Sequence, residues 1–280
     1  MLSPASFLGF LSSPWHSLWH HRRLLIQLCK RDLTARYKSS VLGLFWSLLL
    51  PLLMLAIYAF VFGEIFKSRW GDAPAPSSIS EKLNFSLILY VGLIVFNWLA
   101  ECLSKSPTII LNHASYVKRV VFPLEILPVV PIVIGAFHFL MSFVVFVIFT
   151  SFSPIEITTY WLLVPLLLVP YLLCLIGIAW ILCSLGVYFR DMEQMIPALT
   201  SALMFLSPVF YAVQVLPVAF RPWLMANPLT FIIETLRNLL IWQKCPPATT
   251  WICFYFLALV LFYVGHACFK KLKRGFADVL

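Results

Sequence analysis

Long apolar runs alternate with short polar stretches along the chain. Residues about 41–63, 85–104, 124–150, 160–187, 195–213 and 249–269 each carry an apolar run near the ~20 residues that a helix needs to cross a bilayer. Prolines punctuate these runs, and Pro51, inside the first, is expected to kink or locally open its helix. Residues 64–83, which include GDAPAPSSISEK, read as an exposed loop. Residues 105–123 read as a connection holding one or two short helices. The stretch 214–247 is too polar to span cleanly and too apolar for a simple water-exposed loop. Two short interfacial or re-entrant helices are expected there, because broken backbone at membrane depth needs protein or a cavity to cover it.

Ahead of the first run, residues 22–38 read RRLLIQLCKRDLTARYK. Leu24, Leu25, Leu28 and Leu33 can share one face, while Arg22, Arg23, Lys30, Arg31, Arg36 and Lys38 supply charge. This is the pattern of an amphipathic helix lying at a membrane surface. The predicted fold is therefore an all-α integral membrane protein with six transmembrane helices. Residues 1–38 form an N-terminal region with the interface helix, 39–270 the transmembrane domain and 271–280 a short tail. Residues 1–21 match no usable motif. Arg22 and Arg23 follow the first apolar patch instead of preceding it, so the beginning does not read as a signal peptide.

Composition agrees with the pattern. The chain is 62% hydrophobic and only 11% charged, against about 25% charged in an ordinary soluble domain. The net charge of +9 is gathered beside apolar runs, which suits an anionic leaflet and not nucleic acid. Six crossings put both termini on one side. If that side is cytoplasmic, 14 of the 20 Lys and Arg lie inside, with clusters at both ends of the chain. Seven cysteines without a CxxC pair read as small hydrophobes, not as a disulfide or zinc framework.

Catalytic signatures are missing: there is no GxxxxGK[ST] phosphate loop, no HExxH and no GxSxG. Uphill transport would need a partner or an ion gradient. Ion-coupled carriers keep ionisable groups in mid-membrane. Here Glu101, Lys105, Glu125 and Glu193 fall near predicted span ends, Glu101 at a place where burial is not required. His138 alone of the titratable groups sits deep in a span. Packing or an interhelical hydrogen bond outweighs a proton relay as its reading. Aromatic residues make up 16% of the chain. Tyr58, Phe62, Phe205, Phe210 and Tyr211 fall toward the outer ends of the first and fifth spans and are channel candidates, although packing and anchoring explain most aromatics of this kind.

Three stretches carry a resemblance. They are RDLTARYKSSVLGLFWSLLLPLLMLAIYAFVFGEIF, YVKRVVFPLEILPVV, and NPLTFIIETLRNLL with LSPVFY upstream. In this order they resemble the permease subunits of ABC-2 type polysaccharide exporters, over about residues 22–270. The block FNWLAECLSKSPTIILNHASYVKRVVFPLEILP is most similar to Gram-negative O-antigen exporters. The resemblance implies a homodimer bound to two copies of a separate ABC ATPase subunit, which would hold ATP and magnesium, with no cofactor on this chain. The cargo would be a polysaccharide on polyprenyl diphosphate, moved from the cytoplasmic side of the inner membrane to the periplasm without covalent change. Arg31, Asp32, Arg36, Tyr37 and Lys38 would touch the ATPase or lipid headgroups, the basic ones steering the diphosphate. Tyr116, Lys118 and Arg119 would lie in the first cytoplasmic coupling loop, and Arg190 and Asp191 in the second. Glu234 and Arg237, spaced by three, could pair on one helix face and shape an outer gate, at a few tenths of a kcal/mol if exposed. Rival readings are an exporter of capsular polysaccharide or teichoic acid, a small-molecule exporter of the same superfamily, and a membrane scaffold. A scaffold predicts tolerance of charge reversal at Lys118 and Arg119. A small-molecule exporter predicts a narrow, closed cavity without a continuous aromatic path.

Overall fold

The computed structural model describes residues 14–38, 40–65, 70, 78–117, 122–225 and 227–280. The protein is an all-α integral membrane protein. Helix α1 is Arg22–Tyr37, α2 Trp46–Tyr58, α3 Ile79–Lys105, α4 Val130–Thr150, α5 Val164–Tyr188, α6 Met192–Phe205, α7 Pro228–Leu240 and α8 Ala248–Leu272. Short 3-10 turns lead into α2, α4 and α5, and a further helical stretch occupies residues 14–20.

Among the described residues, five helices are long and apolar enough to cross a membrane: Gly43–Gly63, Glu81–Lys105, Leu124–Thr150, Thr159–Tyr188 and Ala248–Val279. They match five of the six expected runs. The sixth run, 195–213, meets only α6, a helix of 14 residues. At 1.5 Å per residue that is roughly 21 Å, short of a ~30 Å hydrocarbon core. The cause is local. Pro208 disfavours a helical residue before it, and the chain leaves the helix at Leu206–Tyr211. At Pro51 the α-helix continues, and the wide π-type turns come eight residues later, at Ala59–Ile65.

Helix α3 is the centre of the packing. Leu87, Leu89, Val91, Val95 and Cys102 are all fully buried, because α3 is wrapped by α2, α4, α6 and α7. Its start is fixed by a capping box, in which Ser78 Oγ accepts from the Glu81 amide at 3.2 Å and Glu81 accepts from the Ser78 amide at 3.3 Å. Helices α5 and α8 form the tightest pair. A Cβ on Gly177 would strike the backbone of Leu261, and one on Gly265 the backbone of Gly177. Two glycines thus let the helix backbones touch, which is how helices associate when lipid supplies no hydrophobic drive. By contrast, α2 buries only Ser47 and Leu55 and leaves Leu50, Leu53, Met54 and Ile57 exposed.

One face of the molecule, here the near face, gathers α1, the start of α4 and the ends of α3, α5 and α8. Glu125 ties the two ends of the chain there: Ser17 Oγ donates to its carboxylate at 2.8 Å and Lys273 Nζ lies 3.5 Å from it. Trp180 of α5 donates to the Glu125 carbonyl at 2.9 Å. On the opposite, far face, Tyr255 of α8 donates to Leu166 O of α5 at 2.6 Å. The stretch 214–247 holds the short helix Arg221–Met225 and then α7. Asn227 Oδ1 caps α7 by accepting from the Leu229 amide at 3.0 Å, and Pro228 occupies its first turn. Most of α7 is buried, against α3 and α5.

Candidate functional site: a near-face junction and a far-face cluster

Two polar clusters join α1 to the rest of the chain. In the first, Arg31 Nη1 donates to Tyr116 Oη at 3.0 Å, its Nη2 lies 3.3 Å from His113 Nε2, and its Nε donates to Asp32 at 3.1 Å. Tyr116 is itself stacked between His113 (5.5 Å) and Phe122 (4.4 Å). The phenol bond and Asp32 raise the Arg31 pKa further, so the cation is permanent. The expected interface helix and first loop are thus one bonded unit through Arg31, Asp32 and Tyr116. His113 is the member that sequence reasoning missed, and its position three residues before Tyr116 was the available signal.

In the second cluster, Arg36 Nη1 donates to Glu101 Oε1 at 3.0 Å, and His138 Nδ1 lies 2.7 Å from Glu101 Oε2. Tyr37 Oη lies 3.1 Å from His138 Nε2. With its proton on Nδ1, His138 donates to the carboxylate and accepts from the phenol, so a neutral ring satisfies every partner. This is the interhelical hydrogen bond expected for His138. The expectation for Glu101 needs correction: its side chain is only 15% exposed, because α1 and α4 close over it. A carboxylate at this depth is held by a cation and two hydrogen bonds.

The remaining near-face candidates are less engaged. Lys38 is exposed, and its side chain makes no hydrogen bond or ion pair among the described residues. Arg190 and Asp191 are exposed in the turn between α5 and α6, where their carbonyls accept backbone bonds from Glu193, Gln194 and Met195. Lys118 and Arg119 lie outside the described residues. Cys29, on the buried side of α1, has its thiol pushed up to about 11 by burial, and all seven cysteines are free.

At the far face all five aromatic candidates come together. Phe62 stacks on Phe210 at 5.6 Å, Tyr58 lies 6.2 Å from Phe62 and 6.3 Å from Phe210, and Phe205 lies 6.5 Å from Phe210. Tyr211 Oη donates to Phe205 O at 3.0 Å. The π turn of α2 and the break after α6 present these rings to each other. Phe205 is 66% exposed, so the cluster is open on one side.

Behind the cluster lies Arg237, with no exposed surface at all. The i, i+3 pair with Glu234 forms, but it is buried, so the small value of an exposed pair does not apply. Arg237 donates from Nε to Ile88 O (3.0 Å), from Nη1 to Pro208 O (2.5 Å) and Glu234 Oε1 (3.0 Å), and from Nη2 to Val209 O (2.7 Å). Trp70 covers the guanidinium at 4.4 Å. Burial lowers the Arg237 pKa to about 10, against the opposing Glu234 charge, and burial raises that of Glu234 despite its partner. Gly92 leaves the room: a Cβ there would sit 2.7 Å from Nη2. Asn227 adds a second stitch, donating to Ser207 Oγ at 3.0 Å. The carbonyls freed where α6 breaks are thus answered by one side chain of α7.

Residues 23–241 match the family described as ABC-2 type transporter. The chain belongs to that family. As a member, it is the membrane permease of an ABC transporter and not itself the catalyst. Among similar proteins, an O-antigen export system permease protein RfbA of Klebsiella pneumoniae is 29% identical over 258 residues, covering 92% of this chain and 95% of that protein. A protein of the same name from Myxococcus xanthus is 24% identical over 263 residues, covering 93% and 96%. The polysialic acid transport protein KpsM of Escherichia coli is 24% identical over 252 residues, covering 88% and 92%.

Proposed function

We propose that the chain is the permease subunit of an ATP-driven exporter that moves polyprenyl-diphosphate-linked O-antigen polysaccharide from the cytoplasm to the periplasm across a bacterial inner membrane. The observation that carries this reading is similarity along nearly the whole chain to permeases of O-antigen export. The far-face rings add support, since aromatic faces offer a sugar chain tolerant contact without fixed hydrogen bonds. Export of a capsular polymer is the second reading, favoured by the similarity to KpsM.

The working unit in this reading is a homodimer with two ATPase subunits that bind ATP and magnesium. The bare apolar surface of α2 supports a partner copy. The junction of Arg31 and Asp32 with Tyr116, together with Arg36, Tyr37, Lys38, Lys118, Arg119, Arg190 and Asp191, would receive the ATPase motion. Tyr58, Phe62, Phe205, Phe210 and Tyr211 would line the outer channel, with Glu234 and Arg237 bracing it. Six crossings, with both termini cytoplasmic, complete the topology. Ser17 and Lys273 meet on Glu125, which supports an even number of crossings. Helix α6 with the break at Leu206–Tyr211 would supply the sixth, and α7 would re-enter from the outer side.

Deleting the gene tests the reading. The expected result is loss of one surface polysaccharide, with its lipid-linked form accumulating inside the cell. A surface polymer that persists, or that disappears without internal accumulation, overturns it.

A further inference from the structure

The arginines of α1 that face partners are committed within the chain. Arg22 donates to Trp19 O at 2.9 Å and lies over the Trp19 ring, Arg31 holds Tyr116, and Arg36 holds Glu101. Lys30 and Lys38 differ. Both are exposed, and neither side chain makes a hydrogen bond or ion pair among the described residues. The Arg23 side chain is also without one, but it lies about two helical turns before Lys30. Lys30 and Lys38 instead share one groove of about 440 Å³, at the elbow where α1 turns into α2, with walls from Leu33, Tyr37, Leu44 and Phe137.

The elbow is built to stay open. Gly43 has φ +50°, in the left-handed region, and a Cβ there would meet nothing within 4 Å, so glycine serves the turn and not a close contact. Around it Val41, Leu42, Leu44 and Phe45 leave large apolar side chains exposed. Two unneutralised ammonium groups beside an apolar slot at a membrane surface complement a molecule with an anionic head and a hydrocarbon tail.

The chemistry of the cations selects among such molecules. A lysine is a hydrated point charge without the planar fork that recognises phosphates bidentately, and the nearby Arg31 and Arg36 each already hold a carboxylate, Arg31 through Nε and Arg36 through Nη1. Lys30 and Lys38 are eight residues apart, roughly 12 Å along the helix, so they bracket a headgroup instead of converging on one phosphate pair. That arrangement suits an abundant lipid with a single phosphate. We propose that the elbow groove binds an anionic phospholipid of the bilayer, its phosphate between Lys30 and Lys38 and an acyl chain along Leu33, Leu44 and Phe137. The bound lipid would steady the elbow next to the Arg36–Glu101–His138 cluster. This goes beyond the transport reading and does not depend on the identity of the cargo.

The test is native mass spectrometry of the full chain with its ATPase subunit, released from nanodiscs that hold equal phosphatidylglycerol and phosphatidylethanolamine. Phosphatidylglycerol is expected to be retained preferentially. The double variant Lys30→Gln with Lys38→Gln should lose that retention roughly tenfold or more, and Lys30→Arg with Lys38→Arg should keep it, which separates lost charge from lost folding. Equal retention of the two lipids, or retention unchanged in the glutamine variant, overturns the proposal. So does displacement of phosphatidylglycerol by stoichiometric undecaprenyl diphosphate, which would assign the groove to the cargo. Each of these failures leaves the export reading standing, because that reading is tested by where the polymer accumulates.

Discussion

Replacing Arg237 by alanine would remove the one side chain that answers Ile88 O, Pro208 O, Val209 O and Glu234 together. Ile88 O lies within α3 and keeps its helical partner. Pro208 O and Val209 O lie where α6 has ended, so they lose a charge-assisted bond with no water to replace it. A buried carbonyl left unpaired costs about 1–3 kcal/mol, and breaking a buried ion pair costs about 3–5 kcal/mol. These overlap, because Glu234 can take up a proton once its cation is gone. A membrane-embedded unfolded state also finds some partners, so the lower end, about 3 kcal/mol, is the expected loss. The assay is thermal unfolding of the purified complex in nanodiscs, alongside Arg237→Lys. Lysine restores the charge but not the fork, so it should recover less than half of the loss. A melting shift under ~2 °C for Arg237→Ala, less than about 1 kcal/mol for a chain of this size, would refute the bracing role assigned to Arg237.

Burial raises the Glu234 pKa, so its stabilising contribution is complete below the unfolded carboxylate pKa and is lost as pH rises through the folded one. The melting temperature of the natural chain should therefore fall more steeply above about pH 4.5 than that of Glu234→Gln, and parallel pH profiles would contradict this. Arg31→Ala and Tyr116→Phe should each leave the complex assembled while lowering polymer export more than ATP hydrolysis, because each removes the Arg31–Tyr116 bond between α1 and the loop; an equal fall in both activities would show that the junction does not transmit motion. Gly265→Ala should cost about 1–3 kcal/mol, since its Cβ meets the Gly177 backbone, and a chain that melts normally would contradict the close α5–α8 packing. Phe62→Ala with Phe210→Ala should slow export severalfold with ATP hydrolysis retained, and unchanged export would remove the rings from the path.

The sequence pattern carried the long helices well, because an apolar run of spanning length has few other fates. The Leu24–Leu33 periodicity locates α1, and the mixed polarity of residues 214–247 marks the region of short helices that holds α7. What failed to show was pairing at a distance. Glu101 and His138 are 37 residues apart and meet at 2.7 Å, so Glu101 looked like an ordinary interface residue. Arg237 looked like half of a local i, i+3 pair, because its other three acceptors are backbone carbonyls, which leave no mark on residue identity. The aromatic candidates were chosen by depth along two helices, and the same depth is what lets them cluster. Residues 206–211 mislead in the other direction: their composition continues an apolar run, whereas Pro208 ends the helix.

The central claim is that this chain carries polysaccharide across the membrane and takes its energy from a separate ATPase. The most direct measurement reconstitutes the chain and that ATPase in proteoliposomes with the ATPase facing outward, adds lipid-linked O-antigen outside, and asks whether the polymer becomes protected from an added glycosidase. The expected result is protection that needs ATP hydrolysis and is absent with a non-hydrolysable analogue. Hydrolysis that proceeds while the polymer stays fully accessible would contradict it.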